Sequence, residues 1–188
     1  MYEIDKGITQ LINGWAGHNS LGDTLVVWCA DNLIFVMVAV VVLRWWQIGS
    51  YPRTRHACLV AGLSFILAMI LNMLIALVIH RIRPNDAGLT HALIAHNPDW
   101  SFPSDHAATS MAIAAAIWFQ NHRKLAATLL VAAMIICVSR VFVGVHYLSD
   151  VIGGAVVGIV AAFIVSKLFD ENNELSRQLI RLFWTSKD

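Results

Sequence analysis

The chain has 188 residues, of which 58% are hydrophobic and only 13% charged, with a formal net charge of +1. A mean hydropathy of +0.66 excludes an ordinary soluble domain, and the small net charge excludes nucleic-acid binding by bulk electrostatics. We therefore expect an all-α, polytopic membrane bundle forming one domain over residues 1–188.

In chain order, Tyr2 to Gly17 opens as an amphipathic helix with Ile4, Ile8, Leu11, Ile12 and Trp15 on one face, suited to lying in the membrane interface. The first residues lack a basic region followed by a compact apolar stretch and small-residue cleavage site, so no removable signal peptide is expected. Apolar runs then fall at about Leu25 to Trp46, Ala57 to Ile79 and Val151 to Phe169, each near the roughly 20 residues that span a bilayer. Two shorter runs, Ala107 to Phe119 and Leu125 to Val138, need their polar flanks in order to cross. Five crossings are expected in all.

In a five-span arrangement nine basic residues (Arg44, Arg53, Arg55, Arg123, Lys124, Lys167, Arg177, Arg181 and Lys187) fall on one side, against Lys6, Arg81, Arg83 and Arg140 on the other. Because cytoplasmic loops hold the excess of Lys and Arg, the N-terminus is expected outside and the C-terminus inside. Trp45, Trp46, Trp100 and Trp118 suit interfacial belts, and packing between helices accounts for each equally well. Cys29, Cys58 and Cys137 have no disulfide or zinc spacing and read as small buried hydrophobes.

Three strings break this apolar pattern: Arg83-Pro84, Pro103-Ser104-Asp105-His106, and Ser139-Arg140 followed by His146 and Asp150. Such residues cost roughly 2.5 to 3.5 kcal/mol at a helix centre on insertion scales. Counting crossings brings all three to the same face. Ser104 stands where a helix N-cap belongs, and the start of a helix attracts anions. Ser104 and Asp105 also make sense as a cap and a dipole-complementing acid alone. His106 in the first turn tips the weighing, since an imidazolium is disfavoured there without an anion to offset it.

His146 and Asp150 lie four apart, which stacks them if the helix has already begun. Asp150 can then hold one imidazole nitrogen and leave the other free to attack phosphorus. Arg83 and Arg140 offer planar forks that match phosphate oxygens, or anchor helix ends at the interface. The combination points to a phosphate ester at a membrane surface. Asp31, Asn32 and Asn72, within or near the spans, suit a transport path or interhelical hydrogen bonds.

At these residues the chain resembles the type 2 phosphatidic acid phosphatase superfamily, whose motifs are K-x6-R-P, P-S-G-H and S-R-x5-H-x3-D. The third motif is complete. The second reads P-S-D-H, and the stretch from His91 through His96 and Asp99 to His106 is similar to the loop of the bacitracin-resistance type of undecaprenyl-diphosphate phosphatase. The first motif departs from the pattern, with Ala76 where Lys is expected. Arg81 or His80 can replace that cation or serve as interfacial anchors, the second being favoured.

The resemblance implies that His146 attacks the terminal phosphorus, Asp150 orients it and His106 protonates the leaving group. It implies that Arg83, Ser104 and Arg140 hold the phosphate, with Ser139 and Asp105 beside them. It also implies no metal and no cofactor; His91 and His96 are read as loop or headgroup residues rather than a metal pair. The implied substrate is undecaprenyl diphosphate at the outer face of a bacterial cytoplasmic membrane, with recycling of the cell-wall carrier and bacitracin resistance as consequences. Two rivals remain: a phosphatase for phosphatidylglycerol phosphate, phosphatidic acid or lipid A, and a non-catalytic lipid-binding or transport protein.

Overall fold

The computed structural model describes residues 2–47, 52–95, 99–170, 174, 177 and 178. Among the described residues six helices follow one another: α1 (Tyr2–Asn13), α2 (Ser20–Trp46), α3 (Pro52–Ala76), α4 (Asp105–Phe119), α5 (Arg123–Phe142) and α6 (Leu148–Leu168). This is an all-helical membrane protein. Of the residues used in the charge count, Arg181 and Lys187 lie outside the described set, as does His96 of the loop.

Four helices, α2, α3, α5 and α6, are long and apolar enough to cross a membrane. The expected fifth crossing, α4, has only 15 residues, about 22 Å at 1.5 Å per residue, short of a ~30 Å hydrocarbon core. It can be short because it is not the lipid that surrounds it. Helices α3, α5 and α6 pack around it, and Ala107, Ala108, Ala112, Ala114 and Ala116 are buried along its length. Beyond the Asn121 turn, α5 returns the chain, so that Arg140 comes back beside the start of α4.

Association of helices in lipid rests on close packing, since lipid tails are as apolar as leucine. The α4–α6 seam shows how this is met: a Cβ on Gly158 would lie 2.2 Å from the Ala108 carbonyl oxygen, and one on Gly154 2.4 Å from that of Ser104. Both distances are impossible for a real side chain, so these glycines set the spacing of the two helices. Phe35, Leu43, Ile66, Met73, Val131 and Phe163 point outward instead, as lipid-facing helices require.

Helix α1 is amphipathic as expected but ends at Asn13, short of the expected Gly17; its apolar residues Ile4 and Leu11 are exposed, as is Trp15 in the turn that follows. Its opposite stripe, Asp5, Thr9 and Asn13 at intervals of four, turns into the protein. Thr9 Oγ1 accepts from the Leu148 N–H at 3.1 Å, and Asp5 Oδ1 accepts from the Ser149 N–H at 2.9 Å. Asn13 donates to the carbonyls of His91 and Phe142 at 2.9 and 2.8 Å.

The long α3–α4 connection crosses the end of the bundle where α5 turns into α6. It is fixed there by Leu93 N–H to Val143 O at 3.1 Å and by the Thr90 hydroxyl to Gly144 O at 2.8 Å. Gly144 has φ +82° and its Cβ position lies 2.5 Å from the His91 carbonyl oxygen. Both the left-handed backbone and the lack of space demand glycine here. All three polar strings meet at this end.

Candidate active site

Each string is brought in by the end of a different element. Arg83 follows α3 in the long connection, Ser104 to His106 begin α4, Arg140 closes α5, and His146 immediately precedes α6. A cavity of about 370 Å³ is lined by Arg83, Asp99, Asp105, His106, Arg140 and His146, with Asp31, Ile94, Ala95, Trp100 and Pro103 completing its walls.

His146 is buried, with Nδ1 2.9 Å from the backbone carbonyl oxygen of Ser101. A carbonyl only accepts, so Nδ1 carries the proton and the neutral ring keeps its lone pair on Nε2. Nε2 faces Arg83, 3.2 Å from a guanidinium nitrogen, at the cavity wall. The orienting role assigned from sequence to Asp150 is therefore shared. Ser101 O fixes the tautomer directly, while Asp150 Oδ2 lies 3.8 Å from Nδ1. The reason is local: α6 starts at Leu148 with Tyr147 as its N-cap, so His146 stands before the helix and the regular i,i+4 stacking does not apply.

Asp150 is fully buried and fully engaged. It accepts from the Tyr147 N–H at 2.8 Å and from the Ser101 hydroxyl, and pairs with Arg81 at 2.6 Å. Arg81 also holds Asp5 at 2.6 Å and the Ser149 hydroxyl at 2.6 Å, and its guanidinium lies 3.8 Å from the Tyr147 ring centroid. Arg81 thus neither replaces the missing cation at Ala76 nor serves as a simple anchor. It is spent on two carboxylates behind the site. His80 stacks on Trp100 with ring centroids 4.6 Å apart.

Arg83 is buried and grips Asp99 through Nε and a terminal nitrogen at 3.0 and 2.7 Å, while its other terminal nitrogen donates to Val145 O at 2.8 Å. Arg140 contacts Ala30 O and Asp31 Oδ1, both at 3.3 Å, and its buried Nε has no partner among the described residues. The buried Ser104 hydroxyl has none either, and makes no cap to α4 although the residue occupies the N-cap position. These two unpartnered polar atoms are what a site awaiting an oxyanion would contain.

Two expected phosphate ligands have hydrogen-bond partners within the protein. Ser139 donates its hydroxyl to Ile136 O at 2.8 Å and does not line the cavity; at the end of α5 it faces away from Arg140's side. Asp105 lines the cavity, where it accepts from Asn72 Nδ2 at 2.8 Å. Asn72 and Asp31 thus form interhelical polar contacts. His91, the other histidine of the loop, contributes its backbone to Asn13.

Ser101 and Asp5 had no role in the sequence reading, and Arg81 had a different one. Ser101 acts chiefly through a backbone oxygen, which carries no residue signature. Asp5 is about 140 residues away from Ser149 in sequence.

The pattern of the PAP2 superfamily matches residues 57–174, well over half of the chain. The chain belongs to this superfamily. Undecaprenyl-diphosphatase BcrC of Bacillus subtilis (strain 168) is 35% identical over 182 residues, 97% of this chain and 91% of the relative. Among solved structures, Aquifex aeolicus LpxE superposes with a TM-score of 0.70 at 23% identity, covering 86% of this chain and 93% of that one. A transmembrane PAP2-type phosphatidylglycerolphosphate phosphatase from Bacillus subtilis gives 0.68 at 20% identity, covering 92% and 88%. As a PAP2 protein the chain is a membrane phosphatase, and its PAP2 match takes in all three strings.

Proposed function

We propose that this chain hydrolyses undecaprenyl diphosphate to undecaprenyl phosphate and inorganic phosphate. The observation that carries the chemistry is the meeting of His146 Nε2, Arg83, Arg140 and His106 around one cavity at the end of the bundle. The likeness to undecaprenyl-diphosphatase BcrC across nearly the whole chain supports the choice of lipid.

In this reading the terminal phosphoryl group enters the cavity between Arg83 and Arg140, and the vacant Ser104 hydroxyl and Arg140 Nε complete its cradle. Nε2 of His146 attacks phosphorus, the bond to the bridging oxygen breaks, and His106 gives that oxygen a proton. Water then attacks the phosphohistidine, His106 takes its proton, and orthophosphate leaves with His146 neutral again. The carrier's prenyl chain stays in the bilayer throughout.

The site end of the bundle carries Lys6, Arg81, Arg83 and Arg140, whereas Arg44, Arg53, Arg55, Arg123, Lys124 and Lys167 belong to helix ends on the other side. The positive-inside rule then puts the cavity on the outer face of a bacterial cytoplasmic membrane, where diphosphate carrier is left after cell-wall polymerisation and where bacitracin would compete for it.

The test is phosphate release by purified protein in detergent, with EDTA, from undecaprenyl diphosphate beside phosphatidylglycerol phosphate and phosphatidic acid. The expected result is release from the prenyl diphosphate at the highest kcat/KM, undiminished by EDTA. Preference for a glycerolipid would replace the substrate, and loss of activity on chelation would overturn the metal-free mechanism.

A further inference from the structure

The inner stripe of α1 ends on the groups that hold His146. Asp5 receives the Ser149 N–H at 2.9 Å and the Ser149 hydroxyl, and Thr9 receives the Leu148 N–H at 3.1 Å. Leu148 and Ser149 are the first two residues of α6, whose N–H groups have no partner within their own helix. The α6 start is therefore capped from a different helix, 139 to 144 positions away in sequence. The same Asp5 carboxylate binds Arg81 at 2.6 Å, and Arg81 binds Asp150 at 2.6 Å.

We propose that Asp5 and Arg81 are positioning residues of the phosphatase reaction: α1 caps α6 in trans and clamps Arg81 onto Asp150, fixing the geometry and charge felt by His146. This rests on the proposed roles of His146 and Asp150. The ion pair is not on the surface. Asp150 is completely buried, Asp5 and Arg81 partly so at 12% and 22% side-chain exposure, and a buried carboxylate without its cation is strongly disfavoured. Burial alone would raise the Asp5 carboxyl, yet its bonds from Arg81 and Ser149 hold it below the ordinary range.

The apolar side of α1 gives the clamp a second meaning. Ile4 and Leu11 are exposed on α1; seated in the membrane interface by that face, α1 would join the surface to the Asp150 carboxylate.

His146 is faced by Arg83, Arg140, His106 and Asp99 across the cavity and by Asp150 from α6. Arg81 occupies Asp150 Oδ1, the oxygen turned away from His146. Removing its positive charge leaves the Asp150 charge free to stabilise a His146 imidazolium, which raises the His146 pKa.

The experiment compares Asp5→Asn, Arg81→Gln and Arg81→Lys with wild type in lipid nanodiscs. Asparagine keeps an acceptor for the α6 N–H and removes the negative charge of Asp5, with the second oxygen that accepts from Arg81 and the Ser149 hydroxyl. We expect Asp5→Asn and Arg81→Gln to lower kcat by about tenfold or more, in the range seen when an outer partner of a functional side chain is removed, with KM little changed. The acid limb of the Arg81→Gln profile moves to higher pH, and Arg81→Lys restores most of kcat and the limb. Unchanged kcat and limb, or a loss confined to melting temperature or KM, would overturn the proposal.

Rates are taken on whichever of the three lipids the wild type turns over, so failure on undecaprenyl diphosphate sinks the substrate reading and leaves this test intact. NMR titration of histidine-labelled protein reads the His146 pKa without turnover; an Arg81→Gln value at or below wild type would also overturn the proposal.

Discussion

At the scale of the residue, the reactivity of His146 follows from three contacts. Ser101 O holds the proton on Nδ1, Arg83 stands 3.2 Å from Nε2, and Asp150 lies 3.8 Å behind. Burial lowers the His146 pKa from the ordinary imidazole value, and Arg83 and Arg140 lower it further against the opposing pull of Asp150. The nucleophile must be neutral, so activity is lost as pH falls through that lowered pKa. The acid limb of kcat/KM is therefore expected below the ordinary histidine value of about 6.5, measurable with a soluble phosphate ester across pH 4 to 8 as an order-of-magnitude span of that range. The limb for kcat lies higher, because a bound phosphate dianion favours the imidazolium. His146→Ala should leave the protein expressed and folded by circular dichroism while phosphate release falls to background; turnover retained within tenfold would remove His146 as nucleophile.

At the scale of the element, the α4–α6 seam decides whether nucleophile and acid keep their distance, since His106 opens one helix and His146 leads into the other. A leucine at Gly154 must displace the Ser104 carbonyl, 2.4 Å from where even its Cβ would lie. Overpacking of this kind costs roughly 1 to 3 kcal/mol, and here the strain falls on Ser104 itself. Gly154→Leu should thus lower kcat at least tenfold in protein that still purifies as folded; full activity would show that the seam does not set the site. Gly62, with nothing within 4 Å of its Cβ position, is the control: Gly62→Ala should leave kcat unchanged. The amphipathic pattern of α1 was legible. Its inward stripe was not, because Asp5, Thr9 and Asn13 look like the ordinary wet side of such a helix until α6 and the loop are set against them.

At the scale of the whole molecule, the uneven distribution of Arg and Lys makes a prediction about sidedness. A single cysteine at Gly88, in the connection beside the site, should react in intact cells with a membrane-impermeant maleimide, whereas one at Asn121, in the α4–α5 turn, should react only after lysis, both measured in a background lacking Cys29, Cys58 and Cys137. Labelling in the reverse order would invert the orientation. The bundle itself explains why a 15-residue helix serves where the four spans have 20 to 27: α4 is walled by protein, so its ends meet polar loops rather than lipid.

The amino-acid sequence by itself determined the fold class, the apolar segments that became the helices of the bundle, and the set of histidines and arginines that gather at one end. These are properties of composition, period and local spacing, and hydropathy in a bilayer leaves the backbone few alternatives. Only the tertiary structure decided which neighbours those residues have. It turned Ser139 back onto its own helix, gave Asp105 to Asn72, and put Ser101 O on His146. It also tied Asp5, near the first residues, to Asp150 through Arg81. Backbone carbonyls carry no side-chain signature, and contacts between distant residues depend on how helices dock, which no local pattern in the chain records.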